Sequence, residues 1–141
     1  MRDLKSSIAP VIAIAPAIYS ADNTPNAIDL RGFGSAVMLI NVGVGGITFT
    51  GTDKIEFVLT HSDDDISYVA VTDADVQGVA SFSNGIIKAL TTAQATTTID
   101  EIGYVGGKRY LKLLADFSGT HGTGTPLAAL VIKGHPEIFP A

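Results

Sequence analysis

Gly103-Tyr104-Val105-Gly106-Gly107-Lys108-Arg109-Tyr110-Leu111-Lys112-Leu113-Leu114-Ala115-Asp116-Phe117 opens on a glycine turn and runs on into alternation. Leu111, Leu113, Ala115 and Phe117 share one parity, with Lys112 and Asp116 opposite, which is the period of a half-buried strand. Tyr110, Leu113, Leu114 and Phe117 also fit a helical stripe. Gly106-Gly107 before the run and Gly119 after it leave about a dozen residues, and the rest of the chain decides for strand.

Working outward, Gly, Thr, Asn and Asp clusters interrupt the chain every ~8–12 residues, the spacing of a sandwich or barrel. Residues 36–42 are apolar on both parities except at Asn41, so a strand buried on both faces is expected there. A glycine turn over residues 43–46 leads to a short strand at 47–50, with Ile47 and Phe49 inward. Ile55, Phe57, Leu59 and His61 alternate with Glu56, Val58, Thr60 and Ser62. Ser62-Asp63-Asp64-Asp65 is a polar turn, since Asp side chains bond the nearby backbone. Further strands are expected at 67–72, 86–90, 95–102 and 128–133. The fold class is therefore all-β: an antiparallel two-sheet sandwich, jelly-roll-like, with extended N- and C-terminal arms. Residues 1–141 form a single domain, with residues 1–26 as the N-terminal arm and 134–141 as the C-terminal tail. Both ends combine prolines (Pro10, Pro16, Pro25; Pro136, Pro140) with apolar residues.

A chain of 141 residues without Cys buries about two-thirds of its unfolded surface and needs no disulfide or metal to hold a core. Thiolate catalysis and cysteine-ligated zinc are excluded. Charged residues make up 16% of the chain, against ~25% in ordinary soluble domains, so part of the surface is bland or meets a partner. A net charge of −5 opposes binding to a phosphate backbone. No direct nucleic-acid contact is expected. Between Lys54 and Lys88 lie Glu56, Asp63, Asp64, Asp65, Asp73 and Asp75 and no base, while Lys108, Arg109 and Lys112 cluster later. The acidic stretch reads as solvated turns, or more sharply as a face for a basic partner. The apolar run at 8–19 carries two prolines and falls short of the ~20 residues of a membrane span. With Arg2 and Lys5 ahead of it, it has a faint look of a signal peptide, but an extended arm suits the prolines better.

Residues able to do chemistry are scattered. His61 shares a strand face with Phe57 and Leu59 and reads as a packed, hydrogen-bonded histidine. His121 lies in the glycine-rich loop 119–124 and reads as solvated. His135 precedes Pro136 in the tail. None has a second histidine at metal-site spacing. The five aspartates 63, 64, 65, 73 and 75 do not match a calcium loop. The glycine clusters at 32–34, 43–46 and 119–124 open no helix and precede no Lys-Ser or Lys-Thr, so they read as turns rather than phosphate cradles. Ser118 beside Asp116 and His121 is no triad, because there is no nucleophile elbow. No catalytic residue, cofactor or metal is assigned, and an enzyme is not expected.

Six segments, in order, carry a resemblance: Ile28-Asp29-Leu30-Arg31-Gly32-Phe33-Gly34-Ser35-Ala36; Ser62-Asp63-Asp64; Tyr68-Val69-Ala70-Val71; Asp73-Ala74-Asp75-Val76; Gly103 through Leu111 of the stretch quoted first; and Val131-Ile132-Lys133-Gly134-His135-Pro136. Together they resemble the small cement (capsid decoration) proteins of tailed bacteriophages. The resemblance implies a jelly-roll domain that forms homodimers on the outer surface of an icosahedral virion. Such a domain clamps neighbouring copies of the major capsid protein and stiffens the shell against packaged DNA, after a stay in the host cytoplasm during assembly. It implies no enzyme activity. On that basis Ile8, Val11, Ile12, Ile138 and Phe139 are expected contact residues. Lys108, Arg109 and Lys112 are a second candidate contact if they meet acidic groups of a partner. The alternative for the two ends is that they cover the edges of their own sandwich. The alternative function is a sugar- or receptor-binding module of a phage or surface fibre, against which the absence of Trp weighs.

Overall fold

The computed structural model describes residues 1–79 and 82–141, and the chain is all-β. The strands are β1 Ile8–Tyr19, β2 Ile28–Asp29, β3 Phe33–Val42, β4 Lys54–Ser62, β5 Val69–Ala70, β6 Val76–Gln77, β7 Ile86–Leu90, β8 Thr98–Tyr104, β9 Tyr110–Ser118 and β10 Thr125–Pro136. Two single turns of 3₁₀ helix, Lys5–Ser7 and Asp73–Asp75, complete the described elements, so no helix among them is long and apolar enough to cross a membrane. The first sheet runs β1-β10-β3-β8-β6. The second runs β2-β9-β4-β5, with β7 also paired to β4. All pairings are antiparallel. The orders β1-β10-β3-β8 and β2-β9-β4-β7 are those of a jelly roll, in which first and last strands pair and the chain passes between the two layers.

The stretch 103–117 spans both layers. Gly103 and Tyr104 end β8 in the first sheet, residues 105–109 turn the corner, and β9 begins in the second. Gly106 lies tight against Tyr104 at this corner, where a Cβ would meet the hydroxyl at 2.5 Å and the adjoining ring carbons at 2.6 Å and would force the side chain to shift. In β9, Leu111, Leu113 and Ala115 are buried and Lys112, Leu114 and Asp116 are not, so the strand period prevails. The core between the layers is continuous. Met38, Ile40 and Val42 of β3, Ile55, Phe57 and Leu59 of β4, Ile102 of β8 and Val131 of β10 all point into it.

Four expectations change. Residues 8–19 are not a free arm but β1, the edge strand beside β10. Pro10 is tolerated because an edge strand has one side without a ladder, and Pro16 falls in the register shift between Ile14 and Ala17. The tail is likewise shorter than 134–141, because β10 continues to Pro136. Residues 47–50 form no strand. Phe49 still plugs the core and Ile47 packs at its margin, while the backbone of this segment is held by turn bonds such as Thr50 N–H to the Asp53 carbonyl at 2.9 Å. The strand at 67–72 shrinks to β5, because the Asp64 side chain takes the N–H groups of Ile66 and Ser67, both at 2.9 Å.

Residues 20–27 pass from the first layer to the second and cap strand edges on the way. Asn26 Nδ2 donates to the Ile12 carbonyl of β1. Asn23 donates to the Leu113 carbonyl and accepts from Ala115 N–H, and Asp22 accepts from Phe117 N–H, along the part of β9 that β2 does not reach. These side chains stand where a neighbouring strand would, which blunts an exposed edge.

Candidate interaction face

The histidines and most carboxylates of the acidic stretch make contacts within the chain. His61 is 6% exposed, and its Nδ1 lies 2.9 Å from the Tyr104 hydroxyl. Burial lowers its pKa, with Asp75, 4.0 Å from Nε2, opposing. His121 is not solvated as expected but 3% exposed. The loop folds back on itself and wedges the ring against Phe117, centroids 4.7 Å apart. Its Nε2–H donates to the Ser118 carbonyl at 2.7 Å, and Nδ1 has no partner among the described residues. His135 stays exposed beside the Ser35 hydroxyl at 2.7 Å. Asp64 accepts from Ile66 and Ser67 N–H and from the Ser62 hydroxyl, which holds its carboxyl at about 2. Asp65 accepts from the Tyr68 hydroxyl, and Asp75 caps the turn at Thr72. Among the described residues no group of three metal-ligating side chains comes together.

The basic cluster is engaged in the same way. Lys108 pairs with Asp63 at 2.9 Å, so the basic and acidic stretches meet inside one chain. Arg109 makes a two-pronged bond to Asp29 at 2.8 and 2.7 Å, which pulls the Asp29 carboxyl down to about 2. The Lys112 ammonium sits 4.3 Å above the centre of the Tyr68 ring. None of the three projects as a free charge toward a partner.

What remains is the outer face of the first sheet. Register places Ile12, Leu130, Leu39 and Glu101 side by side in one row across β1, β10, β3 and β8. The next row holds Pro10, Ile132, Val37 and Gly103. On the other side lie Ala128, Asn41 and Ile99. Glu101 is the one charged residue in these rows. Ile12 and Ile99 are exposed by 54% and 67%, and Val37, Leu39 and Ile132 are half-buried. The outer face of the second sheet differs, since β4 and β9 there present Lys54, Glu56, Thr60, Lys112 and Asp116.

Of the expected contact residues, Ile8 and Ile12 lie on this face, Ile8 opposite Gly134. Val11, opposite Val131, points inward and packs against the core. Ile138 and Phe139 are exposed near the sheet's end, where Ala141 N–H donates to the Ser6 carbonyl at 2.8 Å and joins the two termini. Sequence reasoning missed Val37 and Leu39 as surface residues, because the double-parity apolar pattern at 36–42 reads as burial on both faces, and it did not single out Ile99, Leu130 or Ile132. The Met38 parity is buried and the Leu39 parity is open.

Beside the exposed side chains, the relief drops into an open hollow of about 700 Å³ lined by Leu4, Ile8, Val37, Gly103, Ile132 and Pro136, among others. A layered sheet with a largely apolar, partly hollowed outer face can bury area against another surface. No family model, curated protein or solved structure matches the chain.

Proposed function

We propose that this chain is a structural virion protein, a cement or decoration protein. It binds the outside of an icosahedral phage capsid and clamps neighbouring major capsid protein subunits, stabilising the shell against packaged DNA. The observation that carries this is the apolar outer face of the first sheet, on a domain whose titratable groups are largely tied up in its own turns and corners. A surface of this kind fits assembly, since exposed apolar patches mark interaction sites. The ordered resemblance of six segments to small decoration proteins, and the jelly-roll order of the strands, support the same reading. A clamp works through area and copy number, and weak contacts repeated over a shell sum to firm attachment.

The test is biochemical. DNA-filled heads purified from a lysate are expected to carry the chain in stoichiometric amount, and recombinant chain is expected to co-sediment with heads that lack it and to raise their rupture temperature. Recovery of the chain only as free protein, never on particles, overturns the proposal.

A further inference from the structure

We infer that the hollow in the outer face of the first sheet receives one arginine side chain of a partner protein, with Glu101 as its countercharge. This takes from the proposed function only that the face meets another protein, and it names the group by which that protein is anchored.

The depth of the hollow comes from backbone. Gly103 of β8 and Gly134 of β10 line it and contribute no side chain, so the relief drops between Ile8, Val37 and Ile132 on the same face. At about 700 Å³ it falls within the ~300–1,000 Å³ of sites that enclose a ligand group. That is room for one long side chain and the residues flanking it. The walls are mainly aliphatic, and the polar groups stand at the rim. On the β10 side, the Ser35 hydroxyl and His135 Nδ1 engage each other at 2.7 Å. On the β8 side are Gln77 and Glu101, the latter two residues from Gly103 on the same face of the strand. Glu101 makes no ion pair among the described residues, whereas its neighbour Asp100, on the opposite parity, is taken by Lys88 at 2.6 Å. No lysine or arginine lines the hollow among the described residues.

An aliphatic floor that ends at one uncompensated carboxylate selects its occupant. Long basic side chains lay their stems on apolar surface and keep the charged head at a polar rim. Arginine fits better than lysine. Its guanidinium is the more weakly hydrated cation, and its fixed fork of donors can grip a carboxylate at two points and still reach the Gln77 side chain. Arginine is also among the residues that most often carry interface energy. A neutral apolar side chain would leave Glu101 without a partner, and an acidic one would meet like charge. The chain's net charge of −5 draws a basic surface toward it in the same sense.

Butylguanidinium, an arginine side chain without its peptide, is the probe. Titrated into the full chain at neutral pH, it is expected to shift the amide resonances of Glu101, Gly103 and Gly134 to saturation. Neutral butylurea, of the same shape, is expected to bind at least ~10-fold more weakly. Glu101→Gln is expected to reduce butylguanidinium to the level of butylurea with an unchanged far-UV spectrum, and Asp116→Asn, on the outer face of the second sheet, to leave its affinity unchanged. Gly103→Leu fills the hollow from below and is expected to abolish the shifts at Glu101 and Gly134. On DNA-filled heads, Glu101→Gln is expected to weaken attachment at least ~10-fold. No saturable shift at these amides overturns the inference. Equal binding of butylurea and butylguanidinium also overturns it, and gives the hollow to an apolar side chain. A Glu101→Gln chain that attaches to heads as firmly as wild type overturns it while leaving the proposed function standing. Charge-dependent binding of butylguanidinium by a chain that never attaches to heads sustains this inference and removes the proposed function.

Discussion

His61 in β4 and Tyr104 in β8 join the two sheets through a 2.9 Å hydrogen bond between His61 Nδ1 and the Tyr104 hydroxyl. The hydroxyl also accepts the Lys108 backbone N–H at 3.1 Å. On the far side of the ring, His61 Nε2 lies 4.0 Å from Asp75. One phenol thus ties a strand of each layer to the corner between β8 and β9. Tyr104→Phe leaves a buried ring nitrogen and a backbone N–H without partners, and is expected to destabilise the fold by ~1–3 kcal/mol. Urea unfolding measures it. The double variant His61→Leu/Tyr104→Phe is expected to lose less than the sum of the singles, because both remove the same bond.

The same pair sets a pH dependence. Burial lowers the folded pKa of His61 below its ordinary 6.5, against the pull of Asp75, so the native state favours the neutral ring. The unfolded chain then binds its proton first as pH falls. Stability from this group is complete above the unfolded value near 6.5 and is lost as pH drops through the lower folded value. The urea midpoint is expected to fall on the acid side of 6.5 in the wild type and to flatten over that interval in His61→Gln. An unaltered profile in the variant would rule this group out.

The layer order and the inward faces of β4 and β9 follow from alternation, because period two is a local property of the chain. The fate of the outward face is not local. Val37 and Leu39 read as interior because nothing in a single strand says whether a second layer lies on both sides. The edge caps were equally hidden. Asn23 contacts the backbone of Leu113 and Ala115, some ninety residues away, and only the closed sandwich brings them together. His121 was misread partly for the same reason, since Phe49, one of the two rings beside it, comes from a distant segment, while Phe117 lies only four residues back.

The Asp29–Arg109 pair is a surface bond, with both side chains 40% or more exposed. Its contribution is therefore sensitive to salt. The Arg109 guanidinium lowers the Asp29 carboxyl from 3.8 to about 2, so the stabilisation is full above 3.8 and is lost as pH falls toward 2. Asp29→Asn is expected to lower the thermal midpoint slightly at neutral pH and low salt. The difference from wild type should vanish in about 1 M NaCl, where the screening length is ~3 Å. A difference that survives high salt would point to lost backbone contacts instead, since Asp29 Oδ1 also accepts Arg31 N–H at 2.9 Å.

Gly124 has φ +89, and a Cβ there would meet the Tyr19 carbonyl oxygen at 2.7 Å and Ile18 Cγ2 at 2.8 Å. It closes the turn from His121 just before β10, where the last strand meets the end of the first. An alanine would take on left-handed backbone strain and a clash with backbone that β1 cannot easily relieve. Gly124→Ala is therefore expected to destabilise by at least ~2 kcal/mol. Gly51 supplies the contrast, since a Cβ there meets nothing within 4 Å and its φ is ordinary. Gly51→Ala is expected to be neutral or to gain up to ~1 kcal/mol through a less disordered unfolded chain. Chemical denaturation of the two variants side by side separates positional strain from the general effect of replacing glycine. Equal effects at both positions would mean that β1 does not pack against the β10 turn as closely as the 2.7 Å approach requires.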